Sequence, residues 1–129
     1  MLFTSISAFV TDVLSDLIFL SSPFFLKSNE RFPEVINEAL DANKLSIEDI
    51  AQIIPHQANH RISEAVAKRM GVGMDKVFSN IKHYGNTTAA SIPIAMCEAR
   101  NKGLFSSDDI IILAAFGAGF TWASTAIRW

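Results

Sequence analysis

Two stretches of this chain carry side chains able to donate hydrogen bonds to an oxygen atom that gains negative charge. One is Ile54-Pro55-His56-Gln57-Ala58-Asn59; the other is Tyr84-Gly85-Asn86-Thr87-Thr88-Ala89-Ala90-Ser91. Each sets an imidazole or a carboxamide where an expected strand gives way to a helix, the position at which α/β sheets carry their ligands. A neutral imidazole N–H from His56 and an amide N–H from Asn86 make a donor pair suited to one carbonyl oxygen as it becomes an oxyanion. No activated nucleophile accompanies them. Cys97, within Ile94-Ala95-Met96-Cys97-Glu98, is expected near the buried face of a helix interior, away from the helix N-terminus that would lower its pKa. Ser91 lies near Asn86, but no base of suitable spacing activates it. The constellation amounts to half of an active site.

The elements that must position these residues follow from periodicity. Phe3, Ile6, Val10, Val13, Leu14, Leu17 and Ile18 fall on one helical stripe, opposite Thr11, Asp12, Ser15 and Asp16, so an amphipathic helix is expected over about residues 4–20, ended by Ser22-Pro23. A second helix is expected over 34–42, opening near Pro33, with Val35, Ile36, Ala39 and Leu40 inward. Ser46 and Asp49 have capping-box spacing. Ile50 to Ile54 is a short apolar run and reads as a buried strand. Asn59 or His60 then opens a helix closed by Gly71. Val77 to Ile81 reads as a second strand, and Ser91 to Lys102 as a helix with Pro93 in its first turn. Ser106 to Asp109 reads as a polar loop. Ile110 to Phe116 and Phe120 to Trp129 read as two strands joined through Gly117-Ala118-Gly119, whose glycines a tight strand connection would also explain. This order makes the chain an α/β protein.

Composition bounds the function. The 129 residues suffice for one domain with a real core, and half of them are hydrophobic. The mean hydropathy of +0.27 is high for so short a chain, which points either to a generous core or to apolar surface meant to be covered by a partner. A net charge of −2 gives no reason to expect nucleic acid as a partner. One cysteine excludes an internal disulfide framework and fits a reducing cytoplasm; with three scattered histidines it also forms no zinc-type motif. The first twenty-six residues lack any basic residue, which argues against a signal peptide. Asp12 and Asp16 interrupt their apolar run, so stable membrane insertion is not expected.

Three motifs also resemble a known family. Pro55-His56-Gln57-Ala58-Asn59-His60-Arg61-Ile62, Tyr84-Gly85-Asn86-Thr87-Thr88-Ala89-Ala90-Ser91-Ile92-Pro93 and Ala115-Phe116-Gly117-Ala118-Gly119-Phe120-Thr121-Trp122 are similar, in order and spacing, to the C-terminal domain of β-ketoacyl-[acyl-carrier-protein] synthase III, a thiolase-fold condensing enzyme of bacterial fatty-acid synthesis. The resemblance runs from about Phe25 or Glu30 to Trp129. It implies half of a thiolase-like fold over residues 27–129, with a mixed sheet of about four strands and packing helices. Residues 1–26 would be an added amphipathic helix outside the family pattern.

The resemblance also assigns roles. His56 and Asn86 would donate to the malonyl thioester carbonyl of a decarboxylative Claisen condensation. Asn59 would contact the pantetheine arm, and Arg61 would help to dock the acidic acyl-carrier protein. Phe116, Gly117, Ala118 and Gly119 would form the glycine loop lining the site, with the Ala118 N–H in the acyl oxyanion hole. The substrates would be coenzyme A or acyl-carrier-protein thioesters, with no separate cofactor. The family's nucleophilic cysteine belongs to the other half of the fold, to which nothing before Phe25 is similar. The chain is therefore expected to be inactive alone, and to act with a complementary N-terminal half or as a homo-oligomer. The alternative is a non-catalytic interaction or homodimerising module. Lys68, Arg69, Lys76 and Lys82 read as an ordinary solvated face, His60 as an exposed helix-start residue and His83 as a loop residue.

Overall fold

The computed structural model describes residues 23–117, 119 and 121–129; the helix expected over 4–20 lies outside the described residues. Helix α1 (Pro23–Asn43) is followed by strand β1 (Ile50–Pro55), helix α2 (His60–Met70), the short helix α3 (Ile81–Tyr84), helix α4 (Ser91–Asn101), and strands β2 (Ile110–Gly117) and β3 (Thr121–Arg128). The strands form one mixed sheet in the order β1-β2-β3, with β1 parallel and β3 antiparallel to the central β2.

The two parallel strands begin in the same way. Before β1, the backbone N–H and hydroxyl of Ser46 both donate to the Asp49 carboxylate, at 2.8 and 2.9 Å. Before β2, Ser106 does the same to Asp109, at 2.7 and 3.0 Å. The next residues, Ile50 and Ile110, are the first pair of the parallel register. The 106–109 segment, expected as an undifferentiated polar loop, is thus the counterpart of the 46–49 turn.

Both faces of β1 and β2 are covered, so their sequences are almost continuously apolar. Ile53, Ile110, Ile112, Ala114 and Phe116 pack with Phe32, Ile36 and Leu40 of α1 and Ile62 and Val66 of α2. On the opposite face, Ile54 and Ile111 pack with Ala95 and Ala99 of α4 and with Phe105. Ser91, Ala95 and Ala99 repeat every four residues along the buried stripe of α4, and their small side chains let the helix lie close to the sheet.

Three expectations require correction. Helix α1 starts at Pro23, not near Pro33, and spans residues 26 and 27; Pro23 takes the first-turn position that proline suits. Pro33 sits buried inside the helix, where it removes one ladder bond at a cost of roughly 3 kcal/mol. The flanking Phe32, Val35 and Ile36 are buried too, each worth about 1.5–3 kcal/mol, and this packing outweighs the local penalty. The Ser124 hydroxyl also donates to the Val35 carbonyl, tying α1 to β3.

The strand expected over 77–81 is a single parallel bridge between Val77 and Ile53, which leaves three strands among the described residues where about four were expected. The Ile53 N–H donates to the Lys76 carbonyl and the Phe78 N–H to the Ile53 carbonyl, at 2.8 and 2.9 Å. The next donor, the Asn80 N–H, turns to the side chain of Gln57 at 3.0 Å, and the chain leaves the sheet. His83, expected in a loop, lies in α3.

Truncating the central side chain of the α1 contact tests this packing. Phe32→Ala is expected to lower unfolding stability by about 3–5 kcal/mol, and Asn37→Ala, exposed on the same helix, by less than about 0.5 kcal/mol. Urea unfolding of the two variants measures both.

Candidate active site

Strands β1 and β2 end side by side, and the candidate site forms at these C-terminal ends, where open α/β sheets bind ligands. One residue past β1, the His56 N–H donates to the Ala114 carbonyl at 2.7 Å, extending the parallel ladder and fixing the His56 backbone against β2. The following Gln57 is 2% exposed and spends its whole amide on the fold. Its Nε2 donates to the Pro55 and Phe78 carbonyls at 2.8 and 3.2 Å, and its Oε1 accepts from the Asn80 N–H. Asn80 in turn donates from Nδ2 to Glu98 of α4 at 2.9 Å. Bonds from the Lys102 ammonium and then from Asn80 hold the Glu98 carboxyl below its ordinary range. This chain of bonds fastens the start of the 80–90 segment to the end of β1.

The His56 ring is half-buried, and its Nδ1 lies 2.6 Å from the Ser91 hydroxyl at the first position of α4. Burial pushes its pKa below the usual 6.5, so the neutral imidazole is the form present at neutral pH. Asn86 follows Gly85, whose φ of 69° with ψ of −165° is a conformation essentially confined to glycine. The Asn86 Oδ1 accepts from the Thr88 N–H at 3.0 Å, an Asx turn that commits the oxygen and keeps Nδ2 as the outward donor. Thr88 has a φ of 51°, rare for a β-branched residue, so the turn is held under strain beside the site.

His56 and Asn86 line one cavity of about 790 Å³, within the range of small-molecule sites. Ala58 and Ile62 of the α2 region, Ala89 and Ile92 of the α4 region, and Ala115, Phe116, Gly117, Thr121, Trp122 and Ala123 around the β2–β3 turn supply most of the wall. The indole of Trp122 stacks on Phe116 with ring centroids 6.3 Å apart, and the Arg31 guanidinium lies 4.9 Å from the Trp122 ring on its way from α1. Asn86 is exposed and the recess opens to solvent, so the two neutral donors can stabilise a carbonyl oxygen that acquires charge once a bound ligand or covering surface displaces that water.

The other expected site residues are dispersed. Phe116 and Gly117 join the cavity wall. Asn59 caps α2 by accepting from the Arg61 N–H at 2.9 Å. Asn59 and Arg61 do not line the cavity. Gly119 occupies the β2–β3 turn with a φ of 77°, and Ala118 lies outside the described residues. Cys97 is corrected from near-buried to exposed: it falls off the Ser91-Ala95-Ala99 stripe, in a shallow hollow with Tyr84, Pro93 and Asn101. His60, expected to be exposed, is partly buried, with its Nδ1 3.1 Å from the Ser79 hydroxyl. Lys68, Arg69 and Lys82 are exposed, whereas Lys76 is half-buried. Among the described residues no cluster of three or more His, Cys, Asp or Glu side chains is arranged to hold a metal ion.

Comparison with known proteins supplies independent information. The family described as 3-oxoacyl-[acyl-carrier-protein (ACP)] synthase III C terminal matches residues 40–129. The β-ketoacyl-[acyl-carrier-protein] synthase III of Clostridium tetani is 53% identical over 94 residues, covering 73% of this chain and 28% of that protein. The same enzyme of Roseiflexus castenholzii is 48% identical over 112 residues, covering 81% of this chain and 34% of that protein. Among solved structures, the synthase III of Thermus thermophilus superposes with a TM-score of 0.80 at 39% identity, covering 82% of this chain and 33% of that one. The chain thus spans about a third of the length of the curated relatives it matches.

Gln57→Leu would strand the Asn80 N–H and two carbonyls. Each buried orphan costs about 1–3 kcal/mol, so a loss of at least about 2 kcal/mol is expected in urea unfolding. The buried His56 sets a pH dependence. As pH falls below about 6.5, the unfolded chain takes up a proton that folded His56 resists, so the His56 contribution is full above that value and declines beneath it, until the depressed folded pKa is passed. Unfolding measured across this range should therefore show a smaller acid-side loss for His56→Gln than for the parent chain.

Proposed function

The chain belongs to the 3-oxoacyl-[acyl-carrier-protein] synthase III C-terminal family, and from that membership we propose that it supplies the oxyanion-stabilising half of a decarboxylative Claisen condensation. In that reaction a malonyl thioester loses carbon dioxide, the electrons of the broken C–C bond form an enolate, and its carbon attacks an acyl group held as a cysteine thioester, breaking the C–S bond and expelling the cysteine thiolate. The negative charge of the enolate resides on the thioester oxygen. His56 and Asn86 would donate to that oxygen from Nε2–H and Nδ2–H. The single observation carrying this reading is that both residues line one apolar cavity at the C-terminal ends of the parallel strands. Neutral donors suit the step: a cationic pair would bind the ground-state carboxylate and raise the barrier to its departure. The acidic acyl-carrier protein or coenzyme A would present the thioester, in the cytoplasm. The acyl-accepting cysteine would come from a complementary half, since exposed Cys97 lies in a hollow apart from His56.

A second reading, as an interaction or homodimerising module, draws support from the exposure of Trp122, at 41%, in the cavity wall and of Tyr84, at 53%, in the separate hollow that holds Cys97. An assay of malonyl-thioester decarboxylation and condensation separates the two. The chain alone is expected to be silent. Mixed with a cysteine-bearing N-terminal half it should turn over, and His56→Ala or Asn86→Ala should each lower that rate by about 10²–10³. Turnover indifferent to both substitutions would overturn the catalytic reading. Silence of the mixture, with a stable dimer in sedimentation, would favour the interaction module.

A further inference from the structure

Ser91 is buried at the start of α4, outside the donor pair, and is 2% exposed. Its hydroxyl makes two contacts: the Gln57 backbone N–H donates to Oγ at 3.3 Å, and His56 Nδ1 lies 2.6 Å away. We infer that Ser91 is a positioning residue that donates its hydroxyl proton to His56 Nδ1, and so holds the imidazole as the tautomer with its proton on Nε2. The inference deepens, and rests on, the reading of His56 as an oxyanion donor.

Proton bookkeeping carries it. A hydroxyl has one proton and two lone pairs. The Gln57 N–H is fixed by the backbone and can only donate, so it occupies one lone pair. If Nδ1–H also donated, both lone pairs would be filled and the buried hydroxyl proton would have no acceptor among the described residues, a state that folded proteins avoid. If instead Ser91 donates, every group is satisfied: N–H to Oγ, O–H to Nδ1, and Nε2–H left for a ligand. The His56 main chain adds rigidity, since its N–H is bonded to the Ala114 carbonyl. Ring and hydroxyl are thus anchored from two elements, β1 and α4, and α4 is itself fastened through the Glu98–Asn80 bond. The same arrangement resists protonation, because an imidazolium would force Nδ1–H back onto Oγ. It also explains why a serine occupies a stripe otherwise made of alanine: the small hydroxyl fits the close helix–sheet contact and still reaches the ring.

Nitrogen-15 NMR of the ring nitrogens in the full chain reads this state without reference to catalysis. At a pH above the His56 titration, Nδ1 is expected to resonate as a pyridine-like and Nε2 as a pyrrole-like nitrogen. In Ser91→Ala the two resonances should move towards each other, to the mixed values of a free imidazole, and Ser91→Thr should restore their separation. The parent chain provides a second readout, should the variants not fold: the Ser91 hydroxyl proton should exchange slowly and show coupling across the hydrogen bond to Nδ1. A pyrrole-like Nδ1 in the parent chain, unchanged resonances in Ser91→Ala, or a freely exchanging Ser91 hydroxyl would each overturn the inference. An Nε2–H tautomer in a chain that never supports turnover would uphold the assignment of Ser91 while removing the proposed function.

Discussion

The site depends on the parallel pairing of β1 with β2. Two matching Ser-to-Asp turns precede these strands; Ala51 is the extra residue of a register shift after the Ile50–Ile110 pair, and from Gln52 and Ile111 the register runs unbroken to Pro55 and Ala114. The His56 N–H then takes the Ala114 carbonyl, so a ladder bond rather than a loop fixes the backbone that bears the imidazole. Because packed helices cover both faces of the pair, the strands cannot slip by one residue without turning core side chains to the wrong side. The position of His56 is thus inherited from the core, and β2 delivers Phe116 and Gly117 to the same end of the sheet.

The second donor reaches the site by different physics. Asn86 lies in a segment with no ladder partner, and side-chain amides do what a strand would otherwise have done. Gln57 secures the beginning of that segment, Asn80 ties it to Glu98, and the Asn86–Thr88 bond shapes the turn that Gly85 makes possible. Hydrogen bonds of this kind have modest net worth but are expensive to leave half-made. They therefore specify one conformation more than they stabilise it. Both side chains remain uncharged, His56 through burial and Asn86 by nature, as the proposed role beside a departing carboxylate would require.

Much of this was legible in the sequence. The apolar runs at 50–54 and 110–116, Gly71 as a helix end and Asn59 as a cap are local signals, and each has its physical counterpart in the fold. Other features depended on partners distant in sequence. The 77–81 run has strand composition, yet one buried glutamine diverts it after a single bridge, and no periodicity encodes that. Pro33 reads as a helix start because proline usually is one, and only burial of its neighbours carries a helix through it. The misplaced Cys97 shows the same limit: the α4 stripe is set by the small residues Ala95 and Ala99, whereas hydrophobicity alone spreads over most of that helix. His56 and Asn86 stood out by type and motif. The structural roles of Ser91 and Gln57 did not, although both residues lie within the motifs, because they are visible only when residues 34 or 23 positions apart in sequence meet.

The central claim is that His56 and Asn86 converge on one oxygen. It is tested most directly by a crystal structure of this chain, joined by a cysteine-bearing half, with a malonyl-thioester analogue that cannot decarboxylate. The account predicts the thioester oxygen within about 2.7–3.1 Å of both His56 Nε2 and Asn86 Nδ2. An analogue whose oxygen is held by only one of them, or that binds outside the cavity, would contradict it.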